Sequence, residues 1–227
     1  MISGKYHLID AALIQQLKFE TVANNLANIG VIGFKKGQIS FNETLSMQYN
    51  STLDLSPGPV RHTGNDFDIA INARGFFTVQ TPDGLRYTRN GCFKVNADGL
   101  LSTQRGDPVL GRNGPIPIAE GHLTVKRNGE VMVDEVTVDT LALVDVKNNA
   151  ALWQEGDVYY RFQGQADELV PLETIDVQQR YAEHANVYPT EEMIKMVEAM
   201  RAFESTQKAI QTNDETTSKL FSMLGSN

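Results

Sequence analysis

Cysteine is almost missing from this sequence: Cys92 is the only one in 227 residues. That excludes an intrachain disulfide and any all-thiolate metal site. Histidine is scarce too, and His7, His62, His122 and His184 never fall at ligand spacing on one element. No apolar run exceeds four residues, far short of the roughly 18 needed to cross a bilayer. Asp10, Gln15, Gln16 and Lys18 interrupt the opening stretch, so it does not read as a signal peptide. The chain reads as one made soluble in the cytoplasm, leaving, if it leaves, by another route. Basic residues are outnumbered, 20 against 28, for a net charge of −8. A dedicated nucleic-acid binder would show a basic surplus or face. What remains, 41% apolar and 21% charged, is enough for one or two domains and too charged and aromatic to read as wholly disordered.

Helix breakers are also missing from both ends. All eight prolines lie between Pro57 and Pro189, and residues 5–29 and 190–224 hold neither proline nor glycine. This punctuation predicts two long terminal helices around a turn-rich middle. Charge follows the same division, +2 over residues 1–37, −2 over 190–227 and −8 between them. Near the end, Met193, Met196, Met200, Phe203, Gln207, Ile210, Asp214, Thr217, Phe221 and Leu224 alternate by threes and fours. That is a heptad seam. Thr190 after Pro189 is a candidate N-cap, with Glu191 and Glu192 in the first turn where the helix dipole favours acids. At the start, Leu8, Ala12, Gln15, Phe19, Val22, Leu26 and Ile29 keep the same alternation. This helix closes in Ala23-Asn24-Asn25-Leu26-Ala27-Asn28 before Gly30 and Gly33. Three poor helix formers in six residues are not there for helix stability; they mark either a frayed end or amides that bond a neighbour. The two helices pair as a hairpin within one chain or pair with other chains.

The middle reads as strands. Ile69 and Ile71 share a face of Asp68–Asn72, and Phe77 and Val79 continue in that style. Pro82-Asp83-Gly84 and Asn96–Gly99 are turn signals, and Arg127-Asn128-Gly129 separates Leu123–Val125 from Val131–Val133 as a hairpin turn does. Leu141 and Leu143 open another strand through Val146. The expected class is α+β: an antiparallel all-β sandwich or barrel flanked by long helices. The expected divisions are 1–37, a linker over 38–60, a β domain over 61–165, a return segment over 166–189 and a helix over 190–227.

Candidate chemistry is thin. No nucleophile elbow, Walker loop, dinucleotide fingerprint or zinc-protease motif occurs. Asp66 and Asp68 would share one face of a strand, as an acid–base pair could, or else simply close the Gly64-Asn65 turn. Cys92 has no histidine near in sequence to activate it. Lys35-Lys36 reads as a solvated basic pair. Neither an enzyme nor a metal or other cofactor is expected.

Ala23–Asn28 with Gly33-Phe34-Lys35 nevertheless resembles the N-terminal signature of the bacterial flagellar basal-body rod and hook protein family. Thr63–Ile71, Gly75–Val79, Tyr87–Gly91 and Asp98–Leu101 are similar to its middle, and Ala185–Val187, Glu191–Val197 and Arg201–Glu204 to its C-terminal signature. The short chain and the Tyr6–Asp10 opening look more like the proximal than the distal rod member. Ile32 and Tyr188 depart from the family pattern.

The resemblance implies a structural rod subunit, exported by the flagellar type III apparatus without a cleaved signal into the periplasmic basal body. There it would polymerise helically into a torque-transmitting shaft, its terminal helices forming coiled-coil layers. Expected partners are copies of itself, proximal and distal rod subunits and the export apparatus, without nucleic acid or membrane insertion. Expected assembly residues are Ala23, Asn24, Asn25, Leu26, Ala27, Asn28, Gly33 and Phe34 at the start. At the end they are Met193, Met196, Met200, Phe203, Ile210, Phe221 and Leu224. Phe41 and Leu45, four apart, resemble an export-gate docking segment. The ends are expected to order only on assembly. The rivals are a distal rod subunit, a secreted cell-wall enzyme using Asp66 and Asp68, and a monomeric binding module with hairpinned helices.

Overall fold

A computed structural model describes residues 2–41, 49–118, 121–156 and 158–224; it leaves aside the side chains of residues 2–7, 40–41, 49–51, 150, 166 and 220–224. The chain folds as two compact units. One comprises residues 1–27, 37–51 and 188–227, the other residues 28–36 and 52–187. The strand-bearing unit is therefore wider than 61–165, and the 28–36 turn counts with it.

The first unit is built on two helices. α1 spans Ile2–Ala27 and α2 spans Pro189–Leu224. α2 starts one residue before the expected cap: Pro189 occupies the first turn, where its missing N–H costs nothing. The Glu192 N–H donates to the Tyr188 carbonyl at 3.1 Å. The end of α1 meets the start of α2, since the Asn25 amide donates to Glu192 at 3.1 Å. The helices pack along each other from there and so run antiparallel. α1 and α2 thus pair within one chain. The apolar periodicity of α1 matches this packing. Leu8, Ala12, Gln15, Phe19, Val22 and Leu26 are buried or half-buried, while Ile9, Leu13, Gln16, Glu20, Asn24 and Ala27 are exposed.

The second unit is antiparallel throughout. Its main sheet has six strands in the order Leu152–Glu155, Tyr159–Phe162, Gly84–Thr88, Phe76–Thr81, Leu143–Val146 and Leu169–Pro171. Phe76–Thr81 and Gly84–Thr88 form a hairpin across the Pro82-Asp83 turn, with Thr81 opposite Gly84. Alternation of side chains puts adjacent residues on opposite faces, and both faces are covered. Phe77, Val79, Leu143 and Tyr159 join the larger core, while Phe76, Val144, Val146 and Tyr160 join a second one with Leu55 and Leu152. Small sheets pack over the larger core. Among them are Ile69–Ile71 with Val177–Gln179, and the three strands Leu123–Val125, Glu130–Val133 and Val136–Thr140. The Arg127-Asn128-Gly129 turn falls between Leu123–Val125 and Glu130–Val133, with Val125 opposite Val131.

Candidate assembly site

The Asn-rich end of α1 divides by residue. Asn24 and Ala27 are exposed, Ala23, Leu26 and Asn28 are half-buried, and Asn25 is buried at 2% exposure. Asn25 holds the first unit together. Its amide donates to the Gly37 carbonyl at 3.0 Å and to Glu192 at 3.1 Å, and its oxygen accepts the Gly37 N–H at 2.8 Å. Glu192 is buried as well, and its other oxygen accepts from Lys195 at 2.7 Å. It is thus more than a first-turn acid on the helix dipole. It takes the second N–H of the buried Asn25 amide, whose first goes to the Gly37 carbonyl.

Gly33 and Phe34 are interior to the second unit. Gly33 sits at φ +74°, and a Cβ there would stand 2.3 Å from the Asn90 nitrogen, so only glycine fits. Its N–H donates to the Glu183 carbonyl at 2.8 Å. Phe34 is fully buried against Ala185 and Val187, with Ile29 and Val31 beside it. Lys35, read from sequence as solvated, is 1% exposed. Its ammonium lies 2.7 Å from one oxygen of the buried Glu183 carboxylate and 2.7 Å from the Ser56 carbonyl. Burial pulls the Lys35 pKa below its ordinary value, and the Glu183 charge offsets this in part. The other Glu183 oxygen takes the Arg89 Nε–H at 2.6 Å, and Arg89 also donates to the Gly75 and Ile71 carbonyls. The Gly58 N–H adds a third donor to Glu183. Next along, the Asn186 oxygen accepts the Lys36 N–H at 2.8 Å and its amide donates to the Asp54 and Ser56 carbonyls.

α2 presents a different seam from the expected one. Met196, Phe203, Ile210 and Thr217 are half-buried, but Met193 and Met200 are 54% and 47% exposed, and Gln207 and Asp214 are exposed too. The covered row interleaves Glu192, Ala199, Thr206 and Asn213 instead. A chain-internal partner takes the row of small and polar side chains because α1 can then approach closely. The larger methionines stay outside. Phe221 and Leu224 lie on α2 with side chains outside the described residues, as are the Phe41 side chain and all of Leu45.

The chemistry considered from sequence finds structural partners. Asp66 pairs with Arg180, and Asp68 accepts from the Asn65 amide at 3.1 Å. Burial, with Asp68 alongside, pushes the Cys92 thiol up to about 12, which disfavours the thiolate. Among the described residues no cluster of metal-ligating side chains occurs.

Two family models match. The flagellar hook protein FlgE/F/G D1 domain covers residues 70–133, and the flagellar basal body rod FlgEFG protein C-terminal region covers residues 178–223. Over 229 aligned residues the chain is 33% identical to the flagellar basal-body rod protein FlgF of Caulobacter vibrioides, covering 92% of each. The chain belongs to the flagellar basal-body rod protein family. Its FlgG relatives include those of Buchnera aphidicola subsp. Acyrthosiphon pisum, 32% identical over 246 residues, covering 91% of the chain and 94% of the relative. That of Bacillus subtilis is 27% identical over 262 residues, covering 98% and 99%. Membership gives the rod protein a structural role in the flagellar basal body. Among the described residues no helix is long and apolar enough to cross a membrane.

The residues that sequence reasoning missed in this rod protein are Arg89, Glu183, Asn186 and Glu192. All but Glu183 lie inside the motifs that carried the resemblance. The available signal was their place inside those motifs, which Glu183 lacks.

Proposed function

We propose that the chain is a non-catalytic subunit at the proximal end of the rod, joined to copies of itself and to neighbouring rod proteins through the outer face of its helix pair. The observation that carries this is the exposure of Met193, Ile194, Val197 and Met200, between 47% and 56%, on successive turns of α2. Monomers leave large apolar side chains contiguous and wet mainly where something else covers them. Each one fully buried by a neighbour contributes about 1.5–3 kcal/mol. Asn24 and Ala27 emerge at the same end of the pair, because Asn25 is bonded to Glu192. They, with residues 190–200, supply the coiled-coil layer of a helical shaft. Asn25, Gly33 and Phe34 serve assembly indirectly, by holding each unit in shape. The alignment with the FlgF relative needs fewer gaps than those with the FlgG relatives, which supports the proximal position over the distal one.

The subunit reaches the periplasmic basal body through the flagellar export apparatus without a cleaved signal, with Phe41 and Leu45 as its docking pair. Two variants separate these steps. Met193→Gln, Val197→Gln and Met200→Gln together should abolish rod assembly and swimming while secretion continues. Phe41→Ala with Leu45→Ala should instead leave the protein in the cytoplasm. Normal rods from the triple variant would remove the proposed face, and normal secretion of the double variant would remove the docking pair. The antiparallel pairing of α1 and α2 favours one other reading, a monomeric module. It requires the triple variant to behave as the wild type does.

A further inference from the structure

We propose that the open edge of the six-stranded sheet, from Trp153 to a small hollow at Arg105, docks an extended acidic segment of a partner protein by strand addition. Leu152–Glu155 ends the strand order and pairs on one side only, with Tyr159–Phe162. The Gln163 N–H donates to the Ala151 carbonyl at 2.8 Å. By the alternation of antiparallel ladders, the backbone groups of Leu152 and Gln154 then point to the open side. Folded proteins usually blunt such edges with proline, lysine or a covering segment. The opposite edge, Leu169–Pro171, ends in a proline. This one carries Trp153 instead, 60% exposed.

Register sets the neighbours. Trp153 stands opposite Arg161, and Glu155 opposite Tyr159, all on one face of the sheet. Arg86 pairs with Glu155. Arg161 lies against the Gln163 amide, and the Arg105 guanidinium sits 5.0 Å from the centre of the Tyr159 ring. Among the described residues neither Arg105 nor Arg161 has a carboxylate at ion-pair distance. Beside Arg105 is a hollow of about 160 Å³, lined by Val31, Cys92, Gln104, Val158 and Tyr159 among others. An exposed tryptophan with two arginines that have no carboxylate at ion-pair distance is the composition that carries most binding energy at interfaces. Arginine's planar fork selects carboxylates, so the charge complement is an acidic strand. Its backbone extends the sheet, and its alternate side chains reach Arg161 and Arg105. This surface lies wholly within the strand-bearing unit and does not depend on the helix face proposed above.

Trp153 is the chain's only tryptophan, so its emission reports on the site directly. The purified full chain is titrated with a short peptide alternating glutamate and valine, and with the same peptide carrying lysine for glutamate. The acidic peptide should shift the emission to the blue saturably, and the shift should weaken with salt. Arg105→Glu with Arg161→Glu, both exposed and so leaving circular dichroism unchanged, should weaken binding at least about tenfold. The lysine peptide should do nothing. No response to the acidic peptide at millimolar concentration, an equal response to both peptides, or a response to cell-wall glycan fragments in place of the peptide would each overturn the proposal.

Discussion

Glu183 is a buried carboxylate of the strand-bearing unit that gathers three donors. Its carboxylate is 1% exposed and takes the Lys35 ammonium, the Arg89 guanidinium and the Gly58 N–H. Removing one partner of a buried ion pair leaves the other charges uncompensated, which costs far more than the pair itself contributes. Glu183→Gln should therefore lower stability by about 3–5 kcal/mol in urea denaturation. Cys92 makes a second prediction at this scale. Burial raises its thiol from 9.0 to about 12, and burial raises the Tyr159 phenol from 10.0 to about 12. An acid with a raised folded-state pKa keeps its proton longer in the folded chain. The stability it confers is complete below its ordinary value and is lost as pH climbs to the raised one. Melting temperature should fall between pH 9 and 12, and Cys92 should react with a thiol reagent at pH 8 far more slowly than an unfolded control. Equal rates would mean that the half-buried thiol is not held in its protonated form.

Among the elements, the hairpin of Glu130–Val133 and Val136–Thr140 holds visible backbone strain. Val133 stands opposite Val136, leaving a two-residue turn in which Asp134 has φ 47° and Glu135 has φ 67°. Such turns favour Asn-Gly, because side chains other than glycine and asparagine pay for positive φ. Asp134 compensates by accepting the His122 N–H at 2.9 Å. Glu135 has no such bond among those described. Glu135→Gly should raise stability by about 0.5–1 kcal/mol, measured as a shift of the denaturation midpoint without a change of slope. A loss of stability would show that the Glu135 side chain contributes something else. α2 has its own character at this scale. Its covered row contains Glu192, Ala199, Thr206 and Asn213, so the helix pair relies on a few apolar contacts around Met196, Phe203 and Ile210.

For the molecule as a whole, two units with different interiors imply two stabilities. The strand-bearing unit buries both faces of its main sheet, whereas α2 has mostly exposed or half-buried side chains. Phe203→Asp should melt the helix pair while leaving the sheet intact. Amide exchange should accelerate through α1 and α2 and stay slow at Phe76–Thr81. Uniform acceleration would instead show that the units unfold as one.

The two long helices were legible in the sequence because glycine and proline are missing from residues 5–29 and 190–224, and local backbone entropy is enough to decide that. The strands around Ile69, Phe77, Leu123 and Leu143 were legible through alternation and through turn residues such as Asn128-Gly129, which also act locally. Family membership was legible because whole motifs occur in order. The α2 seam was only half legible. A spacing of threes and fours allows two neighbouring rows, and Met193 and Met200 fall on the row that α1 leaves uncovered. Choosing between rows depends on how closely the partner helix approaches, which is a property of the pair. Lys35 was misread, and the buried bond of Glu192 went unread, for the same reason. A charged side chain looks solvated until a distant counter-charge or amide is folded against it, here 148 residues away for Lys35 and 167 for Glu192. Local chemistry determined which elements form, and only the tertiary structure decided which of their charges are buried, because burying a charge requires a partner that sequence proximity does not supply.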